Sequence, residues 1–138
     1  PTTEAPTTEA PVTEAPTSDL GQQIANFACQ FVGNPYVWGG TSLTNGADCS
    51  GFVQSVYKNF GYSLPRTCTP QSNAGTAVSL AALAPGDLVF YDHGTGSCEH
   101  VGIYIGNGQI VHASSSRTGI KISNVNYSTP FKACRIVN

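Results

Sequence analysis

The sequence predicts an α+β domain in which N-terminal helices pack on an antiparallel sheet of about five to six strands. Apolar residues recur at helical spacing in two stretches of the first half, residues 20–32 and 52–60. After Pro85 the pattern changes to short runs of β-branched and aromatic residues separated by glycine and asparagine turns. Because the strands follow the helices instead of alternating with them, the order favours α+β over α/β.

The chain has two compositional parts, a repeat at residues 1–17 and a globular domain at 18–138. The first part reads PTTEA-PTTEA-PVTEA-PT and contains nothing that could bury a core, so it is interpreted as an extended linker tethering the domain to an upstream domain. Glu4, Glu9 and Glu14 lie in it, which leaves a nearly neutral body without the electrostatic footprint of nucleic-acid binding. No apolar run is long enough to span a membrane. We expect a monomeric domain in a secreted or cell-wall associated protein.

The first helix is expected to begin at Ser18 or Asp19, either of which can serve as its N-cap. Gly33-Asn34-Pro35 is expected to end it. Its apolar face consists of Leu20, Ile24, Phe27, Phe31 and Val32.

The second helix is expected to start at Cys49, where the loop Gly46-Ala47-Asp48 gives way to helical spacing. Asp48 can cap this helix, and Gly61 stands where a C-terminal glycine would end it. Unpaired amides and the positive end of the helix dipole surround a residue in the first turn. They would lower the pKa of the Cys49 thiol and make it a nucleophile. The alternative is a small buried residue that packs the helix start.

A short helix from Thr67 or Thr69 through Gln71 and Ala74 is expected to connect the second helix to the strands. The expected strands are 87–91, 101–105, 110–113, 120–125 and 131–137, arranged as an antiparallel meander.

The hairpin around Gly106-Asn107-Gly108 carries two histidines, and its register decides whether they meet. A two-residue loop would put His100 and His112 on opposite faces, whereas a three-residue loop pairs Ile103 with Val111 and Gly102 with His112. The second register separates apolar from polar residues better, so it predicts that the two histidines are diagonal neighbours on one face. Such a pair suits a base with an orienting group. No Asp or Glu on that face completes a metal site, and we expect neither metal nor cofactor.

Six motifs in fixed order make residues 35–138 resemble the NlpC/P60 family of cell-wall cysteine peptidases. They are Tyr36-Val37-Trp38-Gly39-Gly40, Asp48-Cys49-Ser50-Gly51-Phe52, Leu64-Pro65-Arg66-Thr67 with Gln71, Pro85-Gly86-Asp87-Leu88-Val89-Phe90, His100-Val101-Gly102-Ile103-Tyr104-Ile105-Gly106 and Val111-His112-Ala113. The resemblance implies a permuted papain-like fold and cleavage of peptidoglycan stem peptides, usually at the γ-D-glutamyl bond to the diamino acid.

Carried over motif by motif, the resemblance also implies roles for individual residues. Cys49 is the nucleophile, His100 the base, and His112 the third catalytic member that holds the His100 ring. Tyr36 contributes to the oxyanion site with the Cys49 amide. Asp48 and Ser50 would bind a free α-amine of the substrate, and Arg66 would bind a substrate carboxylate.

Each of these roles has a structural alternative. Asp48 can be only the helix N-cap, Arg66 a solvated charge, and the histidines two unrelated surface residues. Trp38 is interpreted as a core aromatic, and His93 as a loop residue. At the level of function, the alternatives are an N-acetylmuramoyl-L-alanine amidase, an acyltransferase, a catalytically silent wall-binding module, and a structural disulfide domain.

The odd number of cysteines, five, fits four paired residues and one reserved thiol. With Cys49 reserved, the other four allow three pairings. Because Cys68 and Cys98 flank motifs of the resemblance, we predict disulfides Cys68–Cys98 and Cys29–Cys134, the first at the rim of the site. A bridge from Cys49 to Cys68 or Cys98 would instead make the enzyme redox-latent.

Overall fold

The computed structural model describes residues 19–137. The predicted linker at 1–17 and the Ser18 cap therefore lie outside the described residues. Within the described part, no helix is long and apolar enough to cross a membrane.

Three helices form where the sequence places them, with bounds that differ at the ends. They are α1 (Asp19–Cys29), α2 (Cys49–Lys58) and α3 (Cys68–Gln71). α1 is shorter than expected because the chain after Cys29 tightens into turns, with the amide of Val32 donating to the Cys29 carbonyl. Phe31 still packs edge-on against Phe27, with ring centroids 5.0 Å apart. Val32 is exposed instead of joining the apolar face.

The sheet has six antiparallel strands in the order β3-β8-β4-β5-β6-β7. Their bounds are β3 Thr76–Val78, β4 Leu88–Tyr91, β5 His100–Gly106, β6 Gln109–Ser115, β7 Gly119–Asn124 and β8 Pro130–Arg135. The expected meander holds for β4 to β7 but is wrong for β8, which returns to pair with β4 and β3. β3 and a two-residue hairpin, β1 (Thr41–Ser42) with β2 (Gly46–Ala47), had no strand signal because they are so short.

Both faces of the sheet are buried. The main core lies between the helices and one face, where Phe52 and Val56 of α2 cluster with Val101, Ile103 and Val111. A second cluster occupies the opposite face and contains Leu83, Val89, Tyr91, Tyr104, Ile110 and Ala133. The histidine face is therefore a second core layer beneath the connecting loops, and the alternative of two unrelated surface histidines is wrong.

The hairpin between β5 and β6 combines features of both registers considered above. Ile103 pairs with Val111 and Tyr104 with Ile110, as the three-residue loop required. The loop itself contains only Asn107 and Gly108, both with positive φ, as hairpin turns of two residues demand. A register shift between Tyr104 and Gly106 accommodates the extra residue, so Gly106 pairs with Gln109, where an unshifted three-residue loop would pair Ile105.

Candidate active site

An open cleft of about 720 Å³ lies between the start of α2, the α3 segment and the loop that joins β4 to β5. Cys49 and His100 both line it. The other lining residues are Tyr36, Trp38, Gly39, Asp48, Ser50, Arg66, Thr67, Cys68, Thr69, His93, Cys98, Glu99 and Ser114.

Cys49 is the first residue of α2, as the sequence predicts. Asp48 is the N-cap in extended conformation, and its Oδ1 atom accepts from the Gly51 amide at 2.7 Å. The expected lowering of the thiol pKa is wrong. Burial is the largest influence and raises the pKa of Cys49, and the charge of Asp48 raises it further. The Val101 amide opposes both without prevailing.

The two histidines lie side by side, which confirms the register argument. His100 Nε2 and His112 Nδ1 share a hydrogen bond of 2.7 Å, and the rings meet edge to face. The space exists because the residue opposite His112 is Gly102, where a Cβ would approach the Ile110 side chain to 2.7 Å. His112 Nε2 makes a second bond, of 2.8 Å, to the Ser123 hydroxyl.

Ser123 is a residue that the sequence reasoning missed, although a signal for it was present. In the β6–β7 register, Lys121 faces His112 and Ser123 faces Ile110, so Ser123 is a diagonal neighbour of His112. Extending the hairpin argument by one strand would have found it.

Both histidines are held in the neutral form. Burial and, to a smaller extent, the neighbouring His112 and His93 together lower the pKa of His100 to about 3. Burial, together with a smaller effect from Lys121, lowers the pKa of His112 to about 4. A neutral imidazole keeps one lone pair available, and His100 can therefore accept a proton on the ring nitrogen not engaged by His112.

Two further aromatic rings enclose the histidine pair. His93 is a loop residue, as expected, but its ring also stacks on His100 with centroids 5.8 Å apart. Tyr127, in the turn after β7, lies 5.1 Å from the His112 ring and 6.4 Å from the His100 ring. Neither contact was predictable from strand periodicity, because both residues come from loops.

Asp48 and Arg66 form a bidentate ion pair across the cleft wall. The two guanidinium nitrogens lie 3.0 Å from the two carboxylate oxygens, and Arg66 also donates to the Ser50 hydroxyl at 3.0 Å. Burial alone would raise the pKa of Asp48. The hydrogen bonds from Arg66 and from the Gly51 and Gly39 amides outweigh it, and the pKa lies below its usual range.

The two aromatic residues of the first motif have different environments. Tyr36 is half-buried, packs against the main core and reaches the cleft. Trp38 is 86% exposed, so its interpretation as a core aromatic is wrong. The amides of Val37 and Gly39 are bound to Ala47 and Asp48, which fixes the backbone with the indole outside the core.

The cysteines confirm one of the two predicted disulfides. Cys68 and Cys98 are bonded, with Cα atoms 5.9 Å apart, and join α3 to the loop before His100. The Cys29–Cys134 bridge is wrong, since both thiols are free. Cys134 is buried on β8, and its Sγ contacts the Gln71 carbonyl at 3.5 Å, whereas Cys29 ends α1. Among residues 19–137, no three His, Cys, Asp or Glu side chains are grouped to hold a metal ion.

Comparisons with known proteins agree with this fold. The model of the NlpC/P60 family matches residues 33–137. The γ-D-glutamyl-L-lysine dipeptidyl-peptidase of Bacillus cereus is 42% identical over 105 residues, which cover 75% of this chain and 31% of that protein. The probable endopeptidase p60 of Listeria innocua is 45% identical over 98 residues, 71% of this chain and 20% of its own. The chain thus spans about a third or less of these curated relatives.

A solved structure, the NlpC/p60 domain of the peptidoglycan hydrolase SagA, superposes with a TM-score of 0.76. It is 36% identical, and the match covers 84% of this chain and 98% of that one. The similarity therefore extends over an entire domain of that structure.

Proposed function

This chain belongs to the NlpC/P60 family, and we propose that it is a cysteine peptidase that hydrolyses peptidoglycan stem peptides at the γ-D-glutamyl bond to the diamino acid. The observation that carries the proposal is that Cys49 and His100 line one cleft open to solvent, and that the buried His112 is hydrogen-bonded to the His100 ring. The name of one relative, a γ-D-glutamyl-L-lysine dipeptidyl-peptidase, supports the choice of bond, and that of another, a probable endopeptidase, supports a peptidase.

The protonation states favour a general-base mechanism. The raised pKa of Cys49 and the lowered pKa of His100 describe a neutral thiol beside a neutral imidazole. As the sulfur attacks the scissile carbonyl, His100 takes the thiol proton and then gives it to the departing amine. The C–N bond breaks and a thioester remains, which a water molecule hydrolyses with His100 again as base. His112, braced by Ser123, orients the ring and stabilises its transient charge.

The negative oxygen that develops during attack needs donors at the helix start. The Cys49 amide, in the first turn of α2, is one donor, and the Tyr36 hydroxyl is the second. Asp48, Ser50 and Arg66 form the adjoining wall as one bonded group, and we assign to them the part of the stem that precedes the scissile bond.

The disulfide supports a place outside the cytoplasm. Such bonds persist in oxidising compartments, so Cys68–Cys98 suits a secreted or wall-associated enzyme. The repeat at 1–17 suits a monomeric domain tethered to an upstream one.

Mass spectrometry of purified peptidoglycan digested with this chain tests the proposal, beside a Cys49→Ala control. We expect new peptides that end in γ-D-glutamate, absent with the control. Release of whole stems from the glycan would keep Cys49 as the nucleophile but make the enzyme an amidase. No release from several wall types, with the fold intact, would contradict a hydrolase.

A further inference from the structure

The charges that line the cleft are balanced on one wall and unbalanced on the other. Asp48 and Arg66 neutralise each other beside the start of α2. Glu99 lines the opposite wall, where it is exposed to solvent. The Thr95 hydroxyl donates to its Oε2 atom at 3.4 Å, and within residues 19–137 no ion pair engages it. Glu99 is thus a carboxylate in the cleft that is free to meet a cation.

The backbone holds this carboxylate in place relative to the base. The Glu99 amide donates to the Tyr91 carbonyl at 2.9 Å, where β4 and β5 begin to pair, and His100 follows directly. On the other side, Cys98 is bonded to Cys68 of α3. Further back in the loop, the Asp92 carboxylate accepts from the Gly94 and Gly96 amides. The backbone of Glu99 is therefore tied on both sides, directly next to His100.

Because Glu99 is next to His100, it lies near the substrate residue that carries the departing amine. His100 gives its proton to the departing amine, so the residue that carries this amine must pass His100 and its immediate neighbours. A diamino acid contributes one amine to the scissile bond and keeps a second on its side chain, where it is an ammonium group at neutral pH.

We infer that Glu99 binds this side-chain ammonium and makes the enzyme select a departing residue whose second amine is free. The inference rests on the proposed function and deepens it by naming the determinant of the departing residue. Acylation of the side-chain amine, which is what a peptide cross-link does, removes the charge that Glu99 would recognise. Stems that are not cross-linked through this amine are therefore the preferred substrates.

The test compares two synthetic peptides at pH 7.5, L-Ala-γ-D-Glu-L-Lys and the same peptide with an Nε-acetylated lysine. Wild type should have a kcat/KM about fivefold higher for the free amine, the size expected for a solvent-exposed ion pair. Glu99→Gln should reduce this ratio to about one by slowing only the free-amine peptide, and Glu99→Lys should reverse it. Because the pair is exposed, raising NaCl from 50 to 500 mM should also shrink the wild-type preference.

Glu14→Gln is the matched control, since it makes the same change of charge in the repeat at 1–17 and should keep the wild-type ratio. A ratio that is equal in wild type and Glu99→Gln would overturn the inference while leaving the peptidase intact. If wild type cleaves neither peptide, the proposed function fails, and the inference with it.

Discussion

The two walls of the cleft are built in opposite ways. The wall beside α2 is a network of bonded charges, in which Asp48 accepts from Arg66 and from the Gly39 and Gly51 amides. The wall formed by residues 92–99 is largely exposed and is tied to α3 by the Cys68–Cys98 disulfide. The first wall immobilises the nucleophile, and its two charges, on Asp48 and Arg66, neutralise each other. The second presents His93 and Glu99 to solvent, so it is the wall suited to discriminate among substrates.

The largest effect is expected on kcat/KM, when the histidine pair is broken. His112→Ala leaves His100 Nε2 without its partner, so the ring loses its orientation and the stabilisation of its charge. We expect kcat/KM for L-Ala-γ-D-Glu-L-Lys to fall about 10⁴-fold, as when the third member of a catalytic triad is lost.

Ser123→Ala is the control for this variant, because it removes only the outer bond to His112 Nε2. It should cost only about 10- to 100-fold in kcat/KM, since the His100–His112 contact remains. A folded His112→Ala enzyme with similar kinetics to Ser123→Ala would contradict the assignment of His112.

The next largest effect is expected on the stability of the protein, when the disulfide that ties the 92–99 wall to α3 is removed. Replacing both Cys68 and Cys98 by serine opens a covalent loop with a sequence separation of 30 residues. The free energy of unfolding, measured in urea, should fall by about 3–4 kcal/mol because the unfolded chain gains entropy. Cys29→Ser, at a half-buried free thiol, should cost far less.

Hydrogen exchange sharpens the same comparison in the double serine variant. Amides of residues 92–99 should lose protection, whereas those at the start of α2 should keep it, since Asp48 and Arg66 hold that wall without the disulfide. Equal loss of protection in both walls would show that the walls do not differ as described.

Replacing Arg66 tests the wall beside α2, here called the bonded wall, and should change how the free energy of unfolding depends on pH. Arg66→Met leaves the Asp48 carboxylate without its bidentate partner and should destabilise the fold by about 2 kcal/mol at pH 7. The folded pKa of Asp48 is lowered, so its contribution is present above the ordinary value near 3.9 and is lost as pH falls through the lowered value.

Urea unfolding at pH 7 and pH 3 measures this pH dependence. Wild type should lose more stability than Arg66→Met between these two values, because the variant has less of the pairing to lose. Arg66→Lys should be intermediate, since it keeps the charge but not the two parallel bonds. A common pH dependence for all three proteins would contradict the role of the ion pair.

The placement of the histidines could be predicted because strand register obeys a strict period of two. One hairpin with apolar residues on alternate positions was enough to put His100 and His112 together. The bulge between Tyr104 and Gly106 could not be read from that pattern, because it depends on the backbone of the Asn107-Gly108 turn. The position of β8 between β3 and β4 could not be predicted either, since periodicity indicates which residues form strands but not which strands pair.

Local rules failed where the outcome depends on distant packing. Trp38 looks like a core residue by type, but the bonds of Val37 and Gly39 to Ala47 and Asp48 leave the indole outside. Cys49 lies at a helix N-terminus, as the sequence indicates, yet the fold removes much of it from water and its backbone neighbour Asp48 is charged. A helix dipole can be inferred from sequence, whereas the burial that opposes it cannot.

The smallest expected effect is a shift of the Cys49 pKa. It shows whether Cys49 is a thiol or a thiolate before substrate binds. Alkylation by iodoacetamide, followed at Cys49 by peptide mapping, should keep accelerating above pH 8.5, the ordinary thiol pKa, since burial and then Asp48 raise its pKa. Cys29, whose pKa burial also raises, provides an internal comparison in the same digest. A Cys49 midpoint below pH 7 would mean that a thiolate–imidazolium pair exists before substrate binds. The neutral pair implies instead that burial, with the charge of Asp48 added to it, keeps Cys49 as a thiol until a substrate carbonyl arrives, so that His100 removes the proton only during attack.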